Sequence, residues 1–365
     1  VAIRDWKFNI SLFSKNMTDK VKIGVIGLGI MGEMYTRIYA AHPLAEVTAI
    51  CNRGSDRLDE IGDRYNVANR YSDYHDLLAD KSVDAVCVAT PDFAHYEPVK
   101  AALEAGKHIL CEKPFTTDLH DADELLKLAQ GRPKQKLQVA FNHRWLSSYY
   151  QGFRSISNGD IGRPVAGYAR KNDTIWVATE MINWAHQTTP IHFLGAHDID
   201  LMRWYFASEP VEVHAYGAKG VLSSRGIDTY DLVQAQVKFE SGAFATIESA
   251  WIYPNTFPTI TDSFVEVIGS NGHIHFDRKR ESIEMSTEKQ FTYPKVFLTS
   301  EIFGKLRGAF VECLSDFIDA ILNDTEPKVT AFDGRQVTAV LDAVSHSLVS
   351  GKTEAVQGTS MSRNI

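Results

Sequence analysis

The chain has 365 residues, 44% of them hydrophobic and 23% charged, values that suit a folded protein of two domains and exclude a single small module or wholesale disorder. Lys and Arg number 38 against 46 Asp and Glu, a formal charge of −8 without any long basic cluster, which argues against a nucleic-acid partner. No apolar run approaches the roughly 18 residues of a membrane span, and the first residues lack an apolar signal core, so the reading is a cytoplasmic protein with no membrane partner.

Residues 1–20 show no sustained period and read as an N-terminal extension. From Val21 short β-branched runs (VKIGVIG, EVTAIC, DAVCVAT, HILCEK, LQVAF) alternate with helix-like segments at Gly32–His42, Ser55–Tyr65, Tyr74–Leu78, Tyr96–Ala105 and Leu119–Gln130. Strands alternating with helices imply parallel pairing and right-handed crossovers, so residues 21–141 are predicted to form a doubly wound Rossmann sheet. After Asn142 the pattern changes. Helical stretches at Ser147–Ser157 and Ile191–Phe206 precede the alternating segments VEVHAYGAKGVL, YDLVQAQVKFESGAFATIESAWIY and DSFVEVIGSNGHIHFDR, and amphipathic helices follow at Phe310–Asn323 and Gly334–Ser350. This predicts a second α+β domain, residues 142–350, built on a large and mostly antiparallel open sheet. Residues 351–365 read as a loose polar tail.

Cysteines at 51, 87, 111 and 313 have no CxxC spacing and are expected to be small core residues. There is no HExxH, and His192 and His197, five apart, would diverge by about 140° on a helix. No metal is assigned.

Three places carry chemistry. Gly27-Leu-Gly29-Ile30-Met31-Gly32 follows an apolar strand and opens a helix, the setting in which GxGxxG binds a dinucleotide. The first glycine permits the tight turn, the second admits the pyrophosphate, the third lets helix and strand close together, and the helix N-terminus faces the anion. The second strand ends at Asn52-Arg53, without the acid that would hold the adenine ribose hydroxyls of NAD; Arg53 or Arg57 could meet a 2′-phosphate, leaving NAD and NADP both open. The fourth and fifth strands run into Thr90-Pro91-Asp92-Phe93-Ala94-His95 and Cys111-Glu112-Lys113-Pro114, polar groups at the carboxyl edge where ligands bind. Pro114 favours an extended Lys113, and the bond between them could be cis.

GLGIMG, ATPDFAH, ALEAGKHILCEKP and GAHDIDLMRW together resemble the Gfo/Idh/MocA oxidoreductases, the family of glucose-fructose oxidoreductase and inositol dehydrogenase, over roughly residues 20–350. The resemblance implies a Rossmann domain, a C-terminal domain whose open sheet face makes a homodimer or homotetramer, a nicotinamide cofactor, NAD(P), and a carbohydrate or cyclitol substrate. It puts Gly27, Gly29, Ile30, Met31, Asn52 and Arg53 along the phosphates and adenosine, and Thr90, Pro91, His95 and Glu112 toward the nicotinamide, with Lys113 and with Arg144, where the chain leaves the first domain, also at the cofactor. Lys113 matches the family's lysine at the reacting hydroxyl, and His197 its proton-transferring histidine. Many members carry Asp four residues before that histidine. Here Phe193 stands there, with His192 beside it, and Trp176, His192, Phe193, Lys113 and His197 are expected at the substrate.

Helix spacing would let Asp200 orient His197. The leading reading is an NAD(P)-dependent sugar or polyol dehydrogenase with Lys113 and His197 catalytic. An NAD-dependent glycosidase working by transient oxidation, elimination and water addition is the second. A cofactor-sensing regulator without turnover is the third.

Overall fold

A computed structural model describes residues 20–360; the expected extension, apart from Lys20, and the last five residues of the tail lie outside them. Strands β1 (Val21–Ile26), β2 (Ala45–Cys51), β3 (Asn69–Tyr71), β4 (Ala85–Val88), β5 (His108–Cys111) and β6 (Leu137–Val139) pair in parallel in the order β3-β2-β1-β4-β5-β6. Helices α1 (Ile30–Ala40), α2 (Ser55–Tyr65), α3 (Tyr74–Ala79), α4 (Tyr96–Glu104) and α5 (Leu119–Gln130) connect them. Parallel strands with crossover helices on both faces have both faces covered from solvent, which is why Ile23, Val25, Val86, Val88, Ile109 and Cys111 are all buried. The order reverses between β1 and β4, and the crevice at that switch point opens at the carboxyl edge.

The chain leaves this sheet through a short turn at Asn142–Trp145 and enters α6 (Ser147–Ser157). A second sheet follows, with β7 (Pro164–Thr174), β8 (Pro210–Ala218), β9 (Leu232–Phe239), β10 (Phe244–Tyr253), β11 (Thr261–Gly269) and β12 (His273–Asp277). Helix α7 (Ala196–Phe206) lies between β7 and β8 in sequence. Two small hairpins, β13 (Met285–Ser286) with β14 (Phe291–Thr292) and β15 (Ser300–Ile302) with β16 (Lys305–Arg307), lead to α8 (Ala309–Leu322), α9 (Ala331–Ser350) and β17 (Glu354–Ala355). The order is β12-β11-β7-β10-β9-β8-β17, antiparallel throughout except for β7 beside β10.

Two parts of this sheet were not anticipated. Strand β7 sits in its interior, yet its sequence PVAGYARKNDT is poor in β-branched residues; it is a strand because β10 and β11 pair with it on either side, tertiary context overriding propensity. The tail from Gly351, expected to be loose, adds the edge strand β17 to β8, and Arg335 Nη1 donates to the Gln357 carbonyl at 2.6 Å.

Pleat alternation divides the sheet into two faces. Gly167, Ala169, Lys171 and Asp173 of β7 look inward, and a Cβ at Gly167 would meet Met202 and Phe206 of α7. The opposite face is open and carries the exposed side chains of Tyr216, Phe244 and Ile268. Among the described residues no helix is long and apolar enough to cross a membrane.

Although α8 follows the second sheet in sequence, it completes the core of the first. Cys313, Leu314, Phe317 and Ile318 are fully buried in one cluster with Val21, Ile23, Val25 and Tyr35, and Gln138 of β6 donates to the Cys313 carbonyl at 2.9 Å. Phe317→Ala therefore removes a ring from the first domain's core, and we expect a loss of about 3–5 kcal/mol in denaturant unfolding. Nucleotide binding at room temperature should persist until the domain itself melts.

Candidate active site

The glycine loop between β1 and α1 has a separate reason for each glycine. Gly27 has φ +87°, and a Cβ there would lie 2.8 Å from the Ala89 carbonyl oxygen where β1 and β4 come together. At Gly32 a Cβ would overlap the Gly27 carbonyl, so this glycine seats α1 against its own strand. Gly29 meets nothing within 4 Å. It caps a helix that begins at Ile30, two residues earlier than expected from sequence, and Ile30 is exposed while Met31 is half-buried. Bare backbone, open space and a helix N-terminus together fit a dinucleotide pyrophosphate.

At the end of β2, Asn52 braces this loop: its Oδ1 accepts from Leu28 N at 3.3 Å and its amide donates to the Gly54 carbonyl at 3.0 Å. Arg57 does not reach for a ligand. Its Nε donates to the Leu28 carbonyl at 2.9 Å, and its remaining nitrogens are paired with Glu33 and Glu60. Arg53 is left exposed beside them.

On the other side of the crevice, Glu112 is buried. It accepts a short hydrogen bond from the Tyr35 hydroxyl and another from Lys113 N at 3.1 Å, and burial raises its carboxyl above the usual range. The Lys113–Pro114 bond is cis. His95, also buried, spans the two crevice loops, with Nδ1 2.7 Å from the Pro114 carbonyl oxygen and Nε2 3.0 Å from that of Thr90. Desolvation pulls it down to about 4, so the ring is neutral at physiological pH. Thr90 Oγ1 donates to the Ala94 carbonyl at 3.0 Å, and Pro91 opens the same short turn. Asp92, which sequence reasoning passed over, is buried there and accepts from Thr188 Oγ1 at 2.5 Å, tying the first domain to the second.

The Lys113 ammonium crosses the junction. Its Nζ donates to the Phe193 carbonyl at 3.0 Å and lies 4.5 Å from the centre of the Phe193 ring. Phe193 belongs to a π-helical turn, Ile191–Gly195, that runs into α7, where a single regular helix was expected. His197, on the first turn of α7, is buried, stacked 4.1 Å from His143 and edge-on to Phe141. Burial first, then the charges of Lys113, Lys171 and Arg278, hold it well below 6.5. Sequence reasoning missed Lys171, Arg278 and His143, whose Nε2 accepts from Arg278 Nη1 at 3.1 Å.

Asp200 does not orient His197, because both its oxygens accept from Arg144, at 2.8 and 2.5 Å. Arg144, expected among the cofactor-binding residues, has its guanidinium taken up by Asp200 and, at 3.2 Å, by Asp333. A buried cation outcompetes a neutral imidazole for a carboxylate. His192 is buried against Thr189 Oγ1 at 2.8 Å and driven to about 4 by desolvation. Trp176 lines a cavity of about 340 Å³ with Thr174, Asn255 and Phe257 at the end of the second sheet.

These features define the class: a two-domain, NAD-binding Rossmann oxidoreductase. Residues 21–141 match the family model described as "Oxidoreductase family, NAD-binding Rossmann fold", and residues 154–275 match that of the GFO/IDH/MocA C-terminal domain; the chain belongs to the Gfo/Idh/MocA oxidoreductase family. It is 29% identical over 333 residues to a myo-inositol 2-dehydrogenase of Thermotoga maritima, covering 90% of this chain and 96% of that one. It is 28% identical over 346 residues to the uncharacterized oxidoreductase YrbE of Bacillus subtilis, covering 94% and 98%. The fold superposes with a TM-score of 0.80 on scyllo-inositol dehydrogenase from Lactobacillus casei with bound NAD(H) and scyllo-inositol, at 22% identity and covering 93% and 99%.

The glycine loop makes a clean pair of variants. Gly29→Val should fold with an almost unchanged melting temperature and lose NADH affinity at least tenfold by calorimetry, because its side chain enters the open space before the N-terminus of α1. Gly32→Ala should instead lower the melting temperature, since its methyl collides with the protein itself.

Proposed function

We propose that the protein oxidises a secondary hydroxyl of a cyclitol or sugar, using NAD(P) bound across the carboxyl edge of the first sheet. The observation that carries this reading is the Lys113 ammonium anchored on the Phe193 carbonyl and electrostatically coupled to His197. The names of the Thermotoga relative and of the Lactobacillus structure support an inositol-like substrate.

An ammonium has three donors. One is spent on Phe193, which fixes the direction of the other two and leaves them for the substrate oxygen. Bound nicotinamide supplies the hydride acceptor. Lys113 stabilises the negative charge that develops on the carbinol oxygen, and neutral His197 takes the hydroxyl proton. Lys171 and Arg278 disfavour the imidazolium, so His197 stays ready as a base at neutral pH and passes its proton on instead of holding it. Glu112, Tyr35 and His95 hold the Lys113 loop, while Gly27, Gly29, Ile30 and Met31 cradle the dinucleotide. Exposed Tyr216, Phe244 and Ile268 on the open sheet face support a homodimer or homotetramer through that face. Four free, buried cysteines fit a reducing, cytoplasmic setting.

Lys113→Met should abolish turnover on a panel of cyclitols and sugars while NADH affinity stays within about twofold; loss of NADH affinity would reassign the lysine to the cofactor. His197→Ala should lower kcat by roughly 10²–10⁴. A base with a depressed pKa is neutral above that pKa, so wild-type oxidation should lose its His197-dependent limb only well below pH 6.5, and that limb should be missing from the residual rate of His197→Ala.

Cofactor choice rests on Arg53. With Arg57 engaged by Glu33 and Glu60 and no acid after β2, NADP should be accepted about as well as NAD, and Arg53→Ala should weaken NADP more. A wild-type preference for NAD above about a hundredfold, near 2.7 kcal/mol, would count against this.

A further inference from the structure

The hairpin of β15 and β16 closes on a turn whose sequence works against it. Phe303 has φ +50° and Gly304 φ +74°, the two positive angles of a type I′ turn, which favours Asn-Gly or Gly-Gly. Gly304 suits its place, but a bulky side chain is strained in the left-handed region. The Phe303 ring gains no packing from its own chain in return, since it is fully exposed. Alternation gives the hairpin two faces. On the inner face Glu301 pairs with Leu306; Glu301 bonds Arg37 of α1 at 3.2 Å, and Leu306 packs on the first domain's core. On the outer face Ile302 pairs with Lys305, and Arg307 follows two residues on. All three are exposed, and among the described residues neither cation sits in a salt bridge. Single exposed apolar side chains need no explanation. A strained one at a tip, beside a second apolar side chain and two unpaired cations, is what an anchor for another surface presents.

A surface of complementary character lies along α6, α7 and α8, a groove of about 1140 Å³. One wall is aromatic: Trp204 of α7 stacks on Phe153 of α6 at 4.1 Å, and the half-exposed Tyr150 ring lies 6.3 Å from Trp204. Of the charges that line it, Arg144, Arg203, Glu209 and Asp333 are already tied to one another and to Asp200. The remainder is acidic, with Glu240, Glu312 and Asp316 against Lys328. Asp316 Oδ2 is buried and has no hydrogen-bond partner among the described residues.

Hairpin and groove flank one helix. Strand β16 ends at Arg307 and α8 begins at Ala309, so Glu312 and Asp316 stand about 4.5 and 10.5 Å along its axis at 1.5 Å per residue. The inner face of the hairpin is fixed to α1 and the first core, which leaves the outer face and the tip for another molecule. A two-fold axis passing beside α8 sets the tip of each copy in the groove of the other, the self-complementary arrangement of a symmetric dimer.

We propose that the β15–β16 hairpin is a docking arm for a second copy of this chain, with Phe303 seated on the aromatic wall of Tyr150 and Trp204 and with Lys305 and Arg307 against Glu240, Glu312 and Asp316. The occupant follows from charge: the groove is left with acids and the hairpin with cations. This contact is separate from the open sheet face and holds whatever the substrate is. The groove takes α6 and α7 from the second domain and α8 from the core of the first, so a seated tip bridges its partner's domain junction.

The test uses the full-length protein in two arms. In the first, sedimentation velocity is followed over a concentration series. Phe303→Asn suits the left-handed turn, so it should keep the circular dichroism of wild type while raising the dissociation constant of one assembly step roughly tenfold or more. Lys305→Glu with Arg307→Glu should weaken the same step, and adding Glu240→Lys with Glu312→Lys should restore it. In the second arm a Phe303→Cys copy is mixed with a Tyr150→Cys copy and treated with a short bismaleimide; the native cysteines are all buried, so a mixed cross-linked dimer is expected. Phe244→Asp, on the open sheet face, should leave its yield unchanged. A wild type that is monomeric across the series, an assembly that Phe303→Asn leaves at the same size and affinity, or a mixture without the mixed dimer overturns the docking arm. A yield that falls with Phe244→Asp gives the contact to the sheet face and overturns it too.

Discussion

The hydrogen bond from Lys113 Nζ to the Phe193 carbonyl is the constraint around which the site is arranged. It joins the carboxyl end of β5 to the entry of α7, two elements from different sheets. Its donor is held by a rigid strand end and a buried Glu112 beneath it. Its acceptor lies in the π-turn just before α7, a local departure from the i to i−4 ladder that is common at functional sites. The Phe193 ring then covers the ammonium. Phe193 thus serves the lysine through its main chain and its ring face, even though it cannot offer a carboxylate.

Helix α7 distributes charge by direction. Successive residues point about 100° apart, so His197, Asp198 and Asp200 face three different neighbours. Asp198 turns to Lys171 on the sheet, and Asp200 turns to Arg144 at the domain junction. His197 is left to the crevice, where burial and three cations keep it neutral. Buried ion pairs hold these carboxylates because each has a partner at short range; removing one partner alone would strand the other in a low-dielectric site. A neutral imidazole offers too little to either acid to compete, which explains why the expected Asp200 contact does not form.

The parallel pairing of the first sheet was legible because β1, β2, β4, β5 and β6 are short apolar runs that report burial on both faces, whereas β3, with the sequence NRY, carries no such signal. Lys113 was legible through Pro114, and the glycine loop through its strand and helix context. Strand β7 was not legible, since ARKNDT carries charge at positions that only become interior once β10 and β11 flank them. The role of α8 in the first core was equally hidden, because amphipathic periodicity says that a helix buries one face and says nothing about which sheet receives it.

By itself, then, the sequence determined the local chemistry: which backbone can turn without side chains at Gly27 to Gly32, which residues end strands at the crevice, and which positions lack an acid. Only the tertiary structure decided how the polar groups are shared out. It gave Asp200 to Arg144, Arg57 to Glu33, and the Phe193 carbonyl to Lys113. The physical reason is that local propensity acts over a few neighbouring residues, whereas partnership among buried charges is settled by which groups the folded chain leaves within hydrogen-bond reach, at separations of tens of residues.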